Sequence, residues 1–254
     1  MNHKHEHAET FRRLHVAGNP LVLVNIWDAG SAKTVAESAA AIATSSWSVA
    51  AAKGEPDGER LSLQSLLDTV ADITRAVDLP VTVDFEGGYA QSVDGVAANI
   101  TRLIEAGAIG CNLEDGIPET GRMRTIDEQV ARLAAARNAA QHAGVPLFIN
   151  ARTDAFLRSP AEQHASHLDE AVARAKAYAG AGADGFFIPG LSDIAVITDI
   201  VKASPLPVNV MVSDMQADLR PYAAAGVARI SFGPYPWLMT MGLLRDTATK
   251  AKRQ

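Results

Sequence analysis

The chain has 254 residues, of which 48% are hydrophobic and 20% charged, and its formal net charge is -6. This composition is typical of a soluble globular protein, and the acidic balance argues against a general nucleic-acid binder. No apolar run approaches the ~20 residues that a membrane helix requires.

The amino-terminal segment is polar, and residues 5–16 predict an extra helix before the first strand. A secretory signal would need an apolar stretch here, so the cytoplasm is the expected compartment. Cys111 is the only cysteine and is expected in the core. His3, His5, His7 and His15 lack a recognised zinc-site spacing, and all seven histidines are expected at the surface.

A sequence motif recurs along the chain. In each copy a small residue and a glycine end a helical stretch, and an apolar strand follows at once. Reading outward from these joints predicts strands at 21–26, 41–45, 80–84, 109–114, 146–152, 185–189, 207–211 and 228–232. Helices are predicted at 62–77, 94–105, 126–142, 168–179, 193–203 and 214–225. Eight alternating units without a linker predict one α/β domain over residues 1–254, a (β/α)8 TIM-type barrel.

The last segment, residues 236–250, predicts an amphipathic helix. Two arrangements remain open for it. The helix either packs on its own barrel or is swapped with a neighbouring subunit of a homo-oligomer.

Polar residues follow three of the predicted strands. Alternation places residues i and i+2 on one face of a strand. The aligned sets are Asp84 with Glu86, Asn112 with Glu114, and Asn150 with Arg152 and Asp154. If these faces point into the barrel mouth, the oxygen ligands and the guanidinium suit Mg²⁺ or Mn²⁺ and an anionic substrate. The alternative is an internal ion-pair network that joins Arg152 to Glu114 or Asp84.

The segment after the second strand, SSWSVAAAKGEPDG, begins with hydroxyl and small residues. Backbone amides around Ser45, Ser46 and Trp47 could form an anion-binding nest. A solvated turn explains residues 53–60 equally well.

Taken in order, these segments resemble the isocitrate lyase and phosphoenolpyruvate mutase superfamily. NIWDAGSA resembles its first strand and loop, TSSWSVAAAKGEPDG its anion-binding loop, VDFEGGY its metal-binding strand, NLEDG its acidic strand and NARTDAF its arginine strand. The likeness spans about residues 21–233.

The resemblance implies a role for each matching residue. Asp84 would bind Mg²⁺, while Asp57, Glu86 and Glu114 would hold its water molecules. Asp57, Glu114 and Arg152 would form the catalytic group. The substrate-binding residues would be Ser45, Ser46, Trp47, Arg152 and Asn209.

The chain departs from the superfamily pattern in its loops. LEDGIPETGRMRTIDEQ lacks the KKCGH-like motif of the isocitrate and methylisocitrate lyases, and it lacks the lysine and asparagine of the mutase loop. Glu86 stands where many relatives have aspartate, and Pro189 where several have glutamate or histidine. The proton donor is therefore open.

The function implied by the resemblance is Mg²⁺-dependent cleavage of a carbon-carbon bond in a small 2-oxo or 2-hydroxy dicarboxylic acid. The chain would be methylisocitrate lyase-like or oxaloacetate decarboxylase-like. Phosphonopyruvate hydrolase, phosphoenolpyruvate mutase and a non-catalytic barrel that binds a 2-oxo acid are the alternatives. The expected partners are a small anionic 2-oxo acid and further copies of the chain, as a dimer or tetramer.

Overall fold

Parallel strands form a sheet that closes on itself in the computed structural model, which describes residues 3–118 and 120–252. The strands are β1 (Leu21–Leu23), β2 (Asn25–Ile26), β3 (Ile42–Thr44), β4 (Val81–Asp84), β5 (Gly110–Glu114), β6 (Gly116–Ile117), β7 (Arg122–Met123), β8 (Phe148–Arg152), β9 (Gly185–Phe187), β10 (Val208–Met211) and β11 (Arg229–Ser231). β6 and β7 form a separate antiparallel hairpin.

The first predicted strand is divided into β1 and β2, and this division closes the barrel. Leu21 pairs with Arg229 on one side, and Asn25 pairs with Ala43 on the other. The two ends of the sheet are thus successive parts of one strand. The predicted α/β barrel is confirmed, with the predicted order of eight strands.

Helices cover the outside of the sheet. They are α1 (His3–Arg13), α2 (Ala29–Ala36), α3 (Ser46–Ala52), α4 (Leu63–Ala76), α5 (Val93–Glu105), α6 (Ile126–His142), α7 (Leu168–Gly180), α8 (Ile194–Ala203), α9 (Arg220–Ala224) and α10 (Tyr235–Ala251), with a 3₁₀ helix at Ala161–His167. None of the described helices is both long and apolar enough to cross a membrane.

The predicted helix at 214–225 is wrong in its first half, because only Arg220–Ala224 is helical. The Asp214 carboxylate accepts the Gln216 N–H at 2.8 Å, and the Asp218 carboxylate accepts the Arg220 N–H at 3.0 Å. Such local side-chain bonds compete with helical bonds for the backbone.

The amino-terminal helix α1 packs near the start of β8. Its residue Phe11 is fully buried and lies edge-on to Phe148, with ring centroids 5.3 Å apart. Cys111 is buried in the core as predicted. The surface prediction is wrong for His164, which is 5% exposed and lies 3.0 Å from the Phe156 carbonyl oxygen.

The predicted carboxyl-terminal helix is present as α10, but most of its large apolar side chains are not covered within the single chain. Pro236 is its one buried residue among those described. Exposed apolar residues on it are Leu238, Met239, Leu243 and Leu244. Exchange of this helix between subunits stays a prediction.

Candidate active site

A cavity of about 240 Å³ opens at the carboxyl ends of the barrel strands. It is lined by Asn25, Ser45, Ser46, Trp47, Asp57, Asp84, Asn112, Arg152, Leu157, Phe187, Pro189, Met211, Ser231, Gly233 and Pro234. The fold therefore brings together six of the candidate residues from distant parts of the chain. Glu86, Glu114 and Asn209 do not line the cavity itself.

Asp84, the last residue of β4, has both carboxylate oxygens hydrogen-bonded. Oδ2 accepts the Ser46 N–H at 3.2 Å and the Ser46 hydroxyl at 2.9 Å, and Oδ1 accepts the Asn112 amide at 3.1 Å. These bonds fix the orientation of the carboxylate toward the cavity. The Ser46 amide, which belongs to the predicted anion nest, is directed at Asp84 in this structure.

The rest of the predicted nest lies at the start of α3, a helix that the sequence analysis missed. The Ser45 hydroxyl caps this helix by accepting the Ser48 N–H at 3.3 Å. The Trp47 ring packs edge-on against Trp237 of α10, with ring centroids 5.4 Å apart. The cavity wall is thus coupled to the carboxyl-terminal helix.

Arg152, the last residue of β8, lies among three carboxylates. Its Nε donates to Asp154 at 2.7 Å, and its Nη1 lies 2.8 Å from Glu114 and 3.8 Å from Asp84. Burial by itself would lower the pKa of Arg152, but the neighbouring carboxylates raise it, so the guanidinium stays charged. The ion pairs considered as an alternative to a ligand site are present, and Arg152 also lines the cavity.

Glu86 lies just beyond the end of β4, where strand alternation no longer applies. Its φ of 48° is left-handed, so the shared strand face predicted for Asp84 and Glu86 is wrong. The carboxylate accepts the Glu59 N–H and the Tyr89 hydroxyl, each at 2.7 Å. Burial, with smaller contributions from Asp57 and Asp84, raises the pKa of Glu86 to about 7.

Two further carboxylates near Asp84 have raised pKa values. Burial raises the pKa of Asp57, and the Asp84 charge adds to this effect. Burial also raises the pKa of Glu114, despite the opposing charge of Arg152. In both groups burial, which disfavours the charged form, is the largest cause of the raised pKa.

The acidic set fits a divalent cation. Four carboxylates interact electrostatically at this end of the barrel: Asp57, Asp84, Glu86 and Glu114. Within residues 3–118 and 120–252, Arg152 is the one cationic side chain that lines the cavity. A bound Mg²⁺ would supply the missing positive charge, and carboxylate oxygens are ligands that it prefers.

The spacing of these carboxylates indicates how such an ion would be held. Within residues 3–118 and 120–252, the one group of three metal-ligating side chains with ligand atoms within 4.8 Å of one another lies elsewhere. Mg²⁺ usually keeps several water molecules and takes one or two protein carboxylates. The structure therefore fits direct binding by Asp84, with the other carboxylates acting through water.

Asn209 lies in the barrel interior, beneath the cavity. Its Oδ1 accepts the Asn150 amide at 3.1 Å, and the same Asn150 amide donates to Asn112 at 2.9 Å. The Asn112 amide then donates to Asp84. Asn209 is thus linked to the cavity through two other carboxamides.

Asn25 is a cavity residue that the sequence analysis did not select. Its Oδ1 accepts the backbone N–H groups of Phe232 and Gly233 at 2.9 and 2.8 Å, and its amide donates to the Thr44 carbonyl at 2.8 Å. This side chain joins both neighbours of the divided first strand. The sequence feature that could have identified Asn25 is its polar side chain near the end of a predicted apolar strand.

The loop after β5 begins with a buried ion pair. Asp115 accepts from Arg174 at 2.9 Å and from the Tyr178 hydroxyl at 2.8 Å, and it is fully buried. The following residues form the β6–β7 hairpin, and none of its described residues lines the cavity. The described residues of the hairpin, 116–118 and 120–123, therefore offer no acid group to a ligand in the cavity.

Comparison with known proteins gives a consistent family. The family model for phosphoenolpyruvate phosphomutase matches residues 11–252. An uncharacterised protein of Mycobacterium tuberculosis (strain H37Rv) is 35% identical over 90% of this chain and 83% of its own length. The 2-methylisocitrate lyase of Escherichia coli K12 is 31% identical over 84% of this chain and 72% of its own.

Two further proteins are similar to this chain. An oxaloacetate decarboxylase of Ectopseudomonas mendocina is 29% identical over 80% of this chain and 69% of its own. A crystal structure of a Burkholderia cenocepacia J2315 protein, provisionally named a phosphonomutase, has a TM-score of 0.95 and 52% identity. That similarity covers 98% of this chain and 99% of the other.

Proposed function

Since the chain belongs to the phosphoenolpyruvate phosphomutase family, we propose that it is a Mg²⁺-dependent lyase. Its substrate is a small 2-oxo or 2-hydroxy dicarboxylic acid, and the reaction breaks a carbon-carbon bond to release pyruvate or a similar 2-oxo acid. Two of the relatives are named for carbon-carbon cleavage: an oxaloacetate decarboxylase, whose substrate is such a dicarboxylic acid, and a 2-methylisocitrate lyase, whose substrate carries a third carboxylate.

The observation that carries this proposal is the charge of the cavity wall. Among the described residues that line it, Arg152 is the one cation, and its hydrogen bonds and ion pairs use Nε and Nη1. Nη2 is left for one carboxylate of a substrate. Phosphonopyruvate with a doubly ionised phosphonate carries more charge than oxaloacetate and would favour additional cationic partners, which the described lining residues do not provide.

The size of the cavity supports a small substrate. Its volume of about 240 Å³ lies below the roughly 300–1,000 Å³ of sites for drug-sized ligands. Ser45, Ser231 and Asn25, which carry neutral polar side chains, line the same cavity as Arg152. These neutral groups can orient a carboxylate without adding charge.

The acidic residues beside Arg152 define the metal-binding part of the proposed site. Asp84 would hold Mg²⁺ directly, while Asp57, Glu86 and Glu114 would hold its water molecules. When bound, Mg²⁺ supplies a Lewis acid for the carboxylate and carbonyl oxygens of a 2-oxo acid. Asn112 and Ser46 keep the Asp84 carboxylate in one orientation, so the site is preorganised.

Phosphonopyruvate chemistry is the second candidate. It is favoured by the family name and by the 52% identical phosphonomutase-like structure. Hydrolysis would yield phosphate, and mutation would yield phosphoenolpyruvate. Neither product can form from oxaloacetate or methylisocitrate.

Product analysis separates these reactions. The purified chain is incubated with Mg²⁺ and, in turn, with oxaloacetate, methylisocitrate and phosphonopyruvate. We expect pyruvate from one of the first two acids. The Asp84→Asn variant is the matched control, because Mg²⁺ in solution can itself promote oxaloacetate decarboxylation.

Two results would contradict the lyase proposal. Phosphate or phosphoenolpyruvate from the third acid, with no turnover of the others, would favour the phosphonopyruvate reactions. Mg²⁺-dependent binding of pyruvate or oxalate without turnover of any acid would instead indicate a binding barrel.

A further inference from the structure

A second group of metal-ligating side chains lies far from the cavity just described, near the amino-terminal ends of the strands. His3 and His7 stand at positions i and i+4 of α1 and therefore share one face of that helix. Asp78 faces them from the turn between α4 and β4. All three offer ligand atoms within 4.8 Å of one another.

The atoms of this group converge on one point. The Nε2 atoms of His3 and His7 lie 3.0 and 3.6 Å from the same oxygen, Oδ1 of Asp78. In a tetrahedral zinc site with bonds of about 2.0–2.1 Å, neighbouring ligand atoms are about 3.4 Å apart. The observed spacings lie on both sides of this value, so an ion could enter with little side-chain movement.

The exposure of the group leaves room for the remaining ligand. The side chains of His3 and Asp78 are 66% and 85% exposed, whereas that of His7 is 21% exposed. A cavity of about 370 Å³ adjoins both histidines and is lined by the first residue of β4, Val81. Water can therefore complete the coordination.

We propose that His3, His7 and Asp78 form a binding site for a zinc-like divalent transition ion, separate from the acidic Mg²⁺ site. Two imidazoles and one carboxylate favour Zn²⁺, Co²⁺ or Ni²⁺, whereas Mg²⁺ prefers oxygen ligands. The ligand types of the two sites thus select different ions.

The position of this site gives the ion a mechanical role. His3 and His7 belong to α1, and Asp78 belongs to the turn before β4. The Lys4 ammonium joins the same helix to the Ile104 carbonyl at 2.6 Å, near the end of α5. An ion bound by His3, His7 and Asp78 would link α1 to the barrel. It would thereby stabilise the packing of α1, which contributes the buried Phe11.

Calorimetric titration of the full chain with ZnCl₂ tests the proposal, with Mg²⁺ present in excess to occupy the acidic site. We expect one Zn²⁺ equivalent that is lost, or weakened more than about 10-fold, in His7→Ala and in Asp78→Asn, because even outer partners of metal ligands cost 10–100-fold in affinity. His5→Ala is the matched control on the same helix and should keep this equivalent.

Thermal unfolding gives a second measurement that is independent of activity. Zn²⁺ should raise the Tm of the wild type and of His5→Ala but not that of Asp78→Asn. Asp78 is exposed, so its amide variant should fold even if His7→Ala does not. Equal Zn²⁺ stoichiometry and affinity in wild type and Asp78→Asn, or no Zn²⁺ equivalent in the wild type, would overturn the proposal.

Discussion

Replacement of Arg152 by lysine is the sharpest test of the proposed substrate site. Arginine binds Asp154 through Nε at 2.7 Å and Glu114 through Nη1 at 2.8 Å. Its Nη2 makes no hydrogen bond within the described chain and is the donor available to a substrate. Lysine keeps the positive charge between the carboxylates but has a single nitrogen, so it cannot serve all three partners.

The expected loss follows from that missing donor. A hydrogen bond to a charged group contributes about 1.5–3 kcal/mol, which corresponds to a roughly 10- to 150-fold change in kcat/KM. We expect most of the change in KM, because the arginine contacts a substrate carboxylate that is present before and during bond cleavage. Complete removal, as in Arg152→Ala, would also leave buried carboxylates unpaired and lower stability.

Steady-state release of pyruvate from the acid that the wild type turns over measures this effect. Arg158→Lys is the matched control, since Arg158 also approaches Asp154, at 3.7 Å, but does not line the cavity. The control should retain nearly full kcat/KM. If Arg152→Lys folds with an unchanged Tm and its kcat/KM falls less than about 3-fold, the substrate contact assigned to Nη2 is refuted.

Three other predictions follow from the same structure. Asp84→Asn should lower Mg²⁺-dependent turnover on the order of 100-fold or more, with weaker Mg²⁺ binding by calorimetry; full activity would remove Asp84 from the metal site. Burial raises the pKa of Glu86 from 4.5 to about 7, so the native state binds this proton more tightly than the unfolded chain does. Without metal, the free energy of unfolding should therefore fall by up to ~3 kcal/mol as the pH rises across that range. In urea unfolding, the free energy of unfolding of Glu86→Gln should fall less with rising pH than that of the wild type. The same pH dependence in both proteins would contradict this prediction. Because Leu243 and Leu244 are exposed on α10, replacing both with glutamate should yield a smaller species by light scattering than the wild type or the Thr247→Glu control; an unchanged mass would argue against an interface there.

The positions of the main cavity residues were predictable because they follow local rules. Asp84 and Arg152 end buried parallel strands, and the carboxyl ends of such strands meet at one rim. Ser45 and Ser46 directly follow β3, so they lie at the same rim. Strand spacing and the helix-to-strand joints were sufficient to place these residues together before any contact was known.

The exact environment of each group was not predictable from such rules. Glu86 adopts a left-handed conformation, and its partner Glu59 lies 27 residues away in the chain. Asp214 and Asp218 form local turn bonds where the helical pattern predicted a longer α9. Each outcome depends on competition between alternative hydrogen bonds, which periodicity does not describe.

The sequence by itself determined the strand order, the closed α/β barrel and the rim that carries acidic groups and one arginine, because apolar periodicity and strand-end residues are local properties. Tertiary structure alone decided that Asn25 joins the closing strands, that Asp115 pairs with a distant Arg174 rather than facing the cavity, and that two histidines meet Asp78. These contacts join residues far apart in the chain, so their geometry exists only after the barrel has closed.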